Sequence, residues 1–342
     1  MKPSTAPSAD PAVLEALRRR ARGAGALSFA DFMDVALYEP GCGYYRRRAP
    51  RIGYAPGTDF LTASASAPLF GRLVAAACAG ILGPSAADYE FVEIGAEPGA
   101  GVLRGVAHPF RSARQVEIGE SPRIDGRCIV FSNELFDAQP FRRFRFRAGA
   151  WRELGVSVGA GALHEMELAA AAAPAAPLPE AAPEGYVIDA PFAAAALARR
   201  IAGQPWSGLF LAFDYGKSWQ QIALETPAGT ARAYRSHAQG NDLLELPGQQ
   251  DLTCHVCWDW LADALRDLGF GEPRVESQES FFVRNSGEFL AALAQEQAGR
   301  LSRDKLSLQQ LLHPAHLGHS FQALWALRRP APAHGPGENH LA

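Results

Sequence analysis

Four apolar runs of strand length form the clearest pattern along this chain. They do not alternate strictly between apolar and polar positions, which is typical of strands buried on both faces of a parallel sheet. Polar side chains close each run. The four runs are YEFVEIGA at 89–96, RQVEIG at 114–119, CIVFSNE at 128–134 and GLFLAFDYG at 208–216. The pattern therefore predicts an α/β fold with a central parallel sheet.

Apolar positions at helical spacing come before the first of these runs. Three segments read as helices: VLEALRRRA at 13–21, SFADFMDVALY at 28–38 with Ser28 as its cap, and APLFGRLVAAACAGIL at 67–82. Residues 41–62 are rich in glycine and proline, which predicts a long surface loop, and such loops are usually functional. The alternative is a packed loop without a role in binding. Its polar candidates are Tyr44, Tyr45, Asp59 and Thr62.

Composition excludes several classes of protein. The chain has 342 residues, of which 48% are hydrophobic and 20% charged, enough for one large α/β domain with an insertion. A net charge of −3 gives no overall attraction to nucleic acid or to an anionic membrane. The basic run RRFRFR at 142–147 is interpreted as the exposed side of an alternating strand rather than a binding patch.

The chain shows no targeting or membrane-spanning pattern. Its N-terminal stretch lacks the apolar core of a signal peptide, and no run of about 18 strongly apolar residues occurs. Five cysteines are an odd number without the density of a disulfide scaffold. We therefore expect a cytoplasmic protein with no membrane span.

Metal binding is the less favoured interpretation of two further patterns. Cys254 and Cys257 form a single CxxC, which two buried thiols explain equally well. His313, His316 and His319 are spaced by three residues, and Pro314 and Gly318 interrupt any helical face. We therefore predict no metal site.

Polar residues at the ends of the predicted strands mark the candidate site. In open α/β sheets, ligands bind at the carboxyl ends of the strands, so these residues should share one edge. They are Glu93, Asn133, Glu134, Asp137, Asp214 and Tyr215. Asp214 and Tyr215 fit a structural or a functional role equally well.

Seven sequence motifs occur in order along the chain. They are FxDFMxxALYxPxxGYY (29–45), GTDFLTASxSAPLFG (57–71), NELFDAQP (133–140), DYG (214–216), GTARAYRSH (230–237), LPGQQDLTCHVCWDWL (246–261) and HPAHLGHSFQALW (313–325). Together they resemble the motifs of the MidA-like family of S-adenosylmethionine (SAM) dependent methyltransferases. That family includes a mitochondrial assembly factor that methylates an arginine of a respiratory complex subunit. The resemblance implies a seven-strand sheet, SAM as cofactor, a helical elaboration and a protein substrate.

The glycine turn after the first strand departs from this resemblance. The family pattern is E-x-G-x-G-x-G, and here Glu97 replaces the central glycine between Gly95 and Gly99. Its side chain could fill part of the cofactor pocket or point outward. The VEIGAEPGAGVLRGV stretch otherwise predicts a strand, a turn and a helix. The cofactor-binding residues that the resemblance implies are Glu93, Gly95, Gly99, Glu117, Asp59 and Thr62.

A second departure concerns the length of the sheet. Only about ten residues separate the second strand from the third, too few for a crossover helix. We therefore predict a Rossmann-like methyltransferase sheet shortened by one βα unit. The acid that binds the cofactor ribose is then Glu117 or Glu120, and the sequence leaves both open.

Catalysis is assigned to the NELFDAQP motif. Carboxylates can orient a guanidinium and localise its charge, so Glu134 and Asp137 are the catalytic candidates, with Asn133 holding the loop or the amino group of SAM. The alternative is that the motif only caps a following helix.

The predicted organisation is an extension with a first helix at 1–28, a methyltransferase-like domain at 29–330 and a flexible tail at 331–342. Three functions compete: an active arginine methyltransferase, a degenerate relative that acts as an interaction or assembly factor, and a nucleotide-dependent oxidoreductase. The GxExxG turn disfavours the third, because it lacks glycines that a pyrophosphate needs.

Overall fold

The computed structural model describes residues 10–21, 23, 25–47, 68–96, 99–159, 162–169, 178–235, 238–299, 302–313, 318 and 321–330. The strands are β1 (Ala26–Ser28), β2 (Glu90–Ala96), β3 (Ser112–Glu117), β4 (Gly126–Asn133), β5 (Arg142–Arg147), β6 (Ala150–Val158), β7 (Leu163–Glu167), β8 (Val187–Ala190), β9 (Trp206–Asp214), β10 (Gly216–Lys217), β11 (Arg232–Arg235), β12 (Ala238–Gly240), β13 (Asp251–Thr253), β14 (Val256–Cys257), β15 (Arg274–Ser277) and β16 (Gln322–Arg328). The helices are α1 (Pro11–Arg20), α2 (Phe29–Tyr38), α3 (Leu69–Leu82), α4 (Phe192–Ala202), α5 (Trp219–Leu224), α6 (Trp258–Asp267), α7 (Gln278–Asn285), α8 (Gly287–Glu296) and α9 (Arg303–Leu312).

A six-stranded sheet lies at the centre of the molecule, in the order β15-β16-β9-β4-β2-β3. The strands β3, β2, β4 and β9 are parallel, and β16 runs antiparallel to β9. All four apolar runs identified in the sequence are strands of this sheet. The chain passes from β3 to β4 through residues 118–125 without a helix. The predicted shortening by one βα unit is thus confirmed.

Apolar layers cover both faces of this sheet, which explains why its strands do not alternate. On one face, α3 and α7 bring Phe70, Phe281 and Phe282 against Phe213 of β9. On the other face, α4 and α6 pack against each other and against the sheet. Burial on both faces removes the need for polar residues within the strands.

The segment Leu69–Asp88, which contains α3, has the length and apolar composition of a membrane span, with a mean hydropathy of 1.5. Half of that window is buried inside the molecule. Because Phe70 packs against the phenylalanines of β9 and α7, this helix forms part of the core.

The N-terminal helices α1 and α2 adjoin a second sheet, in the order β1-β6-β5-β8 with β7 paired to β6. The Ser28 side chain accepts a hydrogen bond from the Asp31 N–H, so the predicted helix cap is confirmed. The sequence did not predict this antiparallel sheet inside the insertion. The helical part of the elaboration is α7, α8 and α9, which lie between β15 and β16.

The basic run 142–147 is strand β5, and acidic neighbours pair with its arginines. The pairs are Arg142 with Glu153, Arg143 with Asp189 and Glu165, Arg145 with Glu165, and Arg147 with Glu167. Between them, Phe144 and Phe146 are buried. The interpretation of this run as an alternating strand is therefore confirmed.

Candidate functional site

The turn after β2 is held by the carboxylate of Glu93. Its Oε2 accepts a hydrogen bond from the Val102 N–H at 2.8 Å, and only 8% of the residue is exposed. Burial raises the pKa of Glu93 to about 7, and the Val102 hydrogen bond opposes this rise. Glu93 thus fixes the shape of the turn at the sheet edge.

The helix predicted after this turn does not form. Residues 101–106 instead make tight turns, in which the Arg104 N–H donates to the Gly101 carbonyl and the Val106 N–H to that of Leu103. Gly105 has a φ of +71°, a left-handed conformation that ends a right-handed helix. Only three residues, 102–104, lie between Gly101 and Gly105, which is too few to propagate helical hydrogen bonds.

Three positions of this turn favour glycine, because the backbone conformation or the surrounding atoms disfavour a Cβ. Gly95 has a φ of +80°, and a Cβ there would lie 2.8 Å from Cδ1 of Leu135. A Cβ on Gly101 would overlap the side-chain amide of Gln115 and lie 3.0 Å from Oε2 of Glu93. Gly99 has a φ of +74°. The sequence identified Gly95 and Gly99, whereas Gly101 and Gln115 emerge only from the structure.

The predicted ribose-binding acids lie at the end of β3. Glu117 is the last residue of the strand, exposed and level with Ala96 of β2. The Glu120 side chain turns back and accepts a hydrogen bond from the Glu117 N–H at 2.9 Å. Because Glu120 is used within its own turn, Glu117 is the better placed of the two, and its role in cofactor binding stays a prediction.

The end of β4 and the loop after it carry the three predicted catalytic residues. Strands β4 and β9 are in register, with Asn133 level with Phe213. Glu134 has a φ of +52°, which is strained for a residue with a side chain, and its N–H donates to the Phe213 carbonyl at 2.9 Å. No helix follows within residues 135–141, so the capping interpretation of NELFDAQP is wrong.

Asp214, at the end of β9, holds this loop in place. It is completely buried, and its Oδ2 accepts hydrogen bonds from the N–H groups of Phe136 at 2.9 Å and Asp137 at 3.3 Å. Its Oδ1 accepts from the Tyr215 N–H at 2.8 Å. Of the two roles that the sequence left open for Asp214, these contacts favour the structural one.

Glu134, Asp137 and Asp214 form a carboxylate cluster at the sheet edge. In the part of the chain that the structure describes, no arginine, lysine or histidine forms an ion pair with any of the three. Burial, and after it the charge of Asp214, raise the pKa of Glu134 to about 8. Burial, then the charges of Asp214 and Glu134, also raise the pKa of Asp137.

One buried acceptor beside the cluster has no partner. Nδ2 of Asn133 donates to Oε1 of Glu134 at 2.9 Å, whereas its Oδ1 is buried without a hydrogen bond within the described residues. An unsatisfied buried acceptor is costly unless a ligand or water supplies a donor. This atom therefore suits a ligand with an N–H group.

Two tyrosines pack beside the loop after β4: Tyr38 contacts the loop, and Tyr45 stacks on Tyr38. The Tyr38 hydroxyl donates to the Ala138 carbonyl at 2.8 Å, and the Tyr45 hydroxyl donates to Oδ1 of Asp251 at 2.8 Å. Tyr38 and Tyr45 stack with their centroids 5.5 Å apart. The sequence singled out Tyr45, but it missed Tyr38 and Asp251, which lie far apart along the chain and meet only in the fold.

Several predicted residues do not join the described site. Cys254 and Cys257 are buried free thiols, as the sequence indicated. Within the described residues, no group of three or more His, Cys, Asp or Glu side chains could hold a metal. The remaining candidates lie outside the described residues: Asp59, Thr62, Glu97, His237, His316 and His319.

Comparisons with known proteins point to a specific fold. A family model described as "putative S-adenosyl-L-methionine-dependent methyltransferase" matches residues 110–272, just under half of the chain. A solved Burkholderia thailandensis protein, described as a "likely methyl transferase" and bound to S-adenosyl-homocysteine, has a TM-score of 0.80 and 26% identity. The alignment covers 98% of this chain and 100% of that chain. The chain has the SAM-dependent methyltransferase fold.

A second solved structure supports the same fold. It is a native structure of an uncharacterised protein, also from Burkholderia thailandensis, with a TM-score of 0.77 and 25% identity over 98% of this chain and 100% of that chain. No curated protein sequence matches this chain. The fold class and the cofactor class expected from the sequence are confirmed by these findings.

The residues at the sheet edge fit a SAM-like molecule. Gly95 and Gly99 adopt left-handed conformations next to the turn that Glu93 fixes, which lets the backbone approach a ligand. Glu117 is exposed at the neighbouring strand end, and Oδ1 of Asn133 lacks a donor. A carboxylate suits ribose hydroxyls, and an amide oxygen suits an amino group.

Proposed function

We propose that this chain is a SAM-dependent methyltransferase that modifies an arginine side chain of a protein. The observation that carries the proposal is the carboxylate cluster at the sheet edge, in which Asp137 and Asp214 are buried, Glu134 is half-buried, and none has a paired cation within the described residues. Buried charges are normally paired, so a cationic acceptor supplies the missing partner.

The chemistry of the cluster favours a guanidinium over other acceptors. Two carboxylates can each accept hydrogen bonds from a planar guanidinium, which fixes its orientation and leaves one nitrogen for reaction. A lysine ammonium must lose its proton before its nitrogen can react, and nearby negative charges oppose that loss. Glu134 and Asp137 therefore suit arginine better than lysine.

Cofactor binding is assigned to residues of β2, β3 and β4. Gly95 and Gly99 would allow close approach, Glu117 would bind the ribose hydroxyls and Asn133 would accept from the amino group. Bound SAM would supply an activated methyl group. The role of the chain is to hold the acceptor nitrogen in line with that group, since orientation accounts for much of the rate enhancement.

Glu134 is the proposed acceptor of the released proton. Methylation of a guanidinium releases one proton, because the product keeps a single positive charge. A guanidinium bound beside Glu134 favours the ionised carboxylate, which can then accept this proton, and burial makes that carboxylate more basic than an exposed one. Its Oε1 is engaged by Asn133, so the proton is assigned to Oε2.

The identity of the acceptor as a protein rests on the resemblance to the MidA-like family. That family includes an enzyme acting on a respiratory complex subunit, and we propose a protein acceptor of this kind in the cytoplasm.

One observation favours a second candidate, a degenerate relative that acts as an interaction or assembly factor. The sheet lacks the βα unit between β3 and β4, which removes one wall beside the edge where a cofactor would lie. Glu97 replaces a family glycine in the same turn, although it lies outside the described residues. Both features predict weaker SAM binding.

Calorimetry separates the candidates. The full chain is titrated with SAM, S-adenosylhomocysteine and NAD, and we expect binding of the first two only. Absence of SAM binding in both the native chain and Glu97→Gly would support the degenerate candidate. Binding that appears only in Glu97→Gly would show that this residue blocks the site.

A transfer assay tests the acceptor. Nα-acetylarginine amide and the matching lysine and citrulline amides are offered with labelled SAM, and we expect transfer to arginine alone. Glu134→Gln and Asp137→Asn should each lower the rate by about 100-fold while SAM affinity stays the same. Glu288→Gln, at an exposed position, is the matched control. Equal losses of SAM affinity and rate would contradict the assignment.

A further inference from the structure

Hydrogen bonds from three separate parts of the chain hold the loop after β4 around Asp137. The Asp137 N–H donates to Oδ2 of Asp214 at 3.3 Å, and the Cys254 N–H donates to the Asp137 carbonyl at 2.9 Å. The next carbonyl, that of Ala138, accepts a hydrogen bond from the Tyr38 hydroxyl at 2.8 Å. Tyr38 thus provides the contact between this loop and the N-terminal helices.

Ala138 connects Tyr38 to the carboxylate of Asp137. The Ala138 N–H donates a hydrogen bond to that carboxylate, and this bond opposes the rise in the pKa of Asp137. The carbonyl of the same residue is the acceptor for the Tyr38 hydroxyl. A displacement of this carbonyl would therefore also move the N–H group that orients the Asp137 carboxylate.

Tyr38 is itself held firmly in place. It is the last residue of α2, whose buried Phe32 shares one apolar core with Leu154 of β6. Its ring stacks on that of Tyr45, with centroids 5.5 Å apart and an angle of 21° between the planes. Burial, and after it the charge of Asp251, raise the pKa of the Tyr38 hydroxyl, so this group stays protonated and able to donate at neutral pH.

We infer that Tyr38 is a positioning residue that fixes the loop after β4 and thereby holds the Asp137 carboxylate toward a bound acceptor. This inference rests on the proposed function, in which Asp137 binds the acceptor guanidinium. Small displacements of such a group are costly, because the reacting atoms must be held close together and in line. Tyr38 is assigned no contact with the acceptor, so its effect should pass through Asp137.

The test removes one hydroxyl at a time. Tyr38→Phe keeps the stacked ring, and Tyr186→Phe is the matched control, because the Tyr186 hydroxyl accepts from the Thr226 N–H at 2.9 Å, a bond that involves no residue of 134–141. Binding of Nα-acetylarginine amide is measured by calorimetry in the presence of S-adenosylhomocysteine. We expect Tyr38→Phe to weaken this binding about tenfold and Tyr186→Phe to change it less than about twofold. Affinity for SAM should stay native in both variants.

A second comparison separates positioning from a general loss of structure. When Tyr38→Phe is added to Asp137→Asn, the affinity for the arginine probe should change less than about twofold further, because a residue that acts through another has no separate effect. A residue that only stabilises the fold would weaken binding equally with and without the Asp137 carboxylate.

Amide hydrogen exchange, followed by mass spectrometry, tests the loop without any acceptor. We expect Tyr38→Phe to speed exchange in residues 134–141 about tenfold, because the loop opens more often when one of its hydrogen bonds is lost. Tyr186→Phe should leave exchange in these residues unchanged.

The outcomes separate this inference from the proposed function. Native affinity for the arginine probe in Tyr38→Phe would overturn the inference, and so would equal losses with and without the Asp137 carboxylate or unchanged exchange in the loop. Faster exchange in Tyr38→Phe, with no binding of the arginine probe by the native chain, would support the positioning of the loop by Tyr38 and contradict the proposed function.

Discussion

Asp189 and Asp214 are both completely buried, yet their surroundings differ. Oδ1 of Asp189 pairs with the Arg143 guanidinium at 2.7 Å, and Oδ2 accepts from the Thr230 and Ala231 N–H groups at 2.8 Å. Asp214 has backbone N–H donors only and no ion pair within the described residues. The Arg143 guanidinium neutralises the charge of Asp189, whereas no cation within the described residues pairs with Asp214.

The same contrast extends to the regions around them. The acids that face β5 are paired with arginines. In contrast, burial raises the pKa values of Glu134, Asp137 and Asp214, and the charge of Asp214 adds to the rise at the other two. Removing one partner of a buried ion pair is costly, and unpaired buried acids weaken a fold unless a ligand offsets the cost. The difference separates the acids that are paired within the fold from Glu134 and Asp137, which are proposed to bind an acceptor, whereas Asp214 holds their loop in place.

Removing the carboxylate of Asp189 should produce the largest effect. We expect Asp189→Ala to lower the free energy of unfolding by about 3–5 kcal/mol, because the mostly buried Arg143 charge and two backbone N–H groups lose their acceptor. Urea denaturation measures the change. A loss below about 1 kcal/mol would show that the two buried aspartates do not differ as described.

An intermediate effect should appear as a pH dependence of stability. The pKa of Glu134 is about 8 in the folded protein and about 4.3 when unfolded, so stability is greatest below the lower value and is lost as pH rises through 8. The glutamine in Glu134→Gln cannot ionise. We therefore expect the free energy of unfolding of this variant to exceed that of the native chain by about 1–2 kcal/mol at pH 8. Denaturation at pH 5, 6.5 and 8 gives the comparison.

The control for this prediction is the paired region. Glu153→Gln removes an acid bound to Arg142. Its free energy of unfolding should therefore not rise relative to that of the native chain as the pH increases. Parallel pH curves for Glu134→Gln and the native chain would contradict the assigned burial of that carboxylate.

The smallest effect should come from the exposed end of β5. Arg147 pairs with Glu167 at 3.0 Å, and 65% of the arginine side chain is exposed. We expect Glu167→Ala to change the free energy of unfolding by less than about 1 kcal/mol, because solvent screens an exposed pair. A larger loss would mean that the whole row of pairs acts as one network.

The parallel core could be predicted from the sequence because burial on both faces leaves a local signature. The runs at 89–96, 128–134 and 208–216 became β2, β4 and β9, and their polar ends met at one edge as expected. The missing βα unit could also be predicted from the sequence, since ten residues cannot form a helix and the turns on either side of it. The helix after β2 was predicted wrongly, because Gly101 and Gly105 leave only three residues between them and Gly105 adopts a left-handed conformation.

The sequence by itself determined the strands, the loss of one unit, and the residues Asn133, Glu134 and Asp137 at a strand end, because periodicity and spacing are local properties of the chain. Only the tertiary structure decided which acids are paired. Asp189 meets Arg143 across two strands, and Asp251 meets Tyr45 more than two hundred positions away. The charge state of a buried acid depends on its neighbours in space, and spacing along the chain does not specify those neighbours.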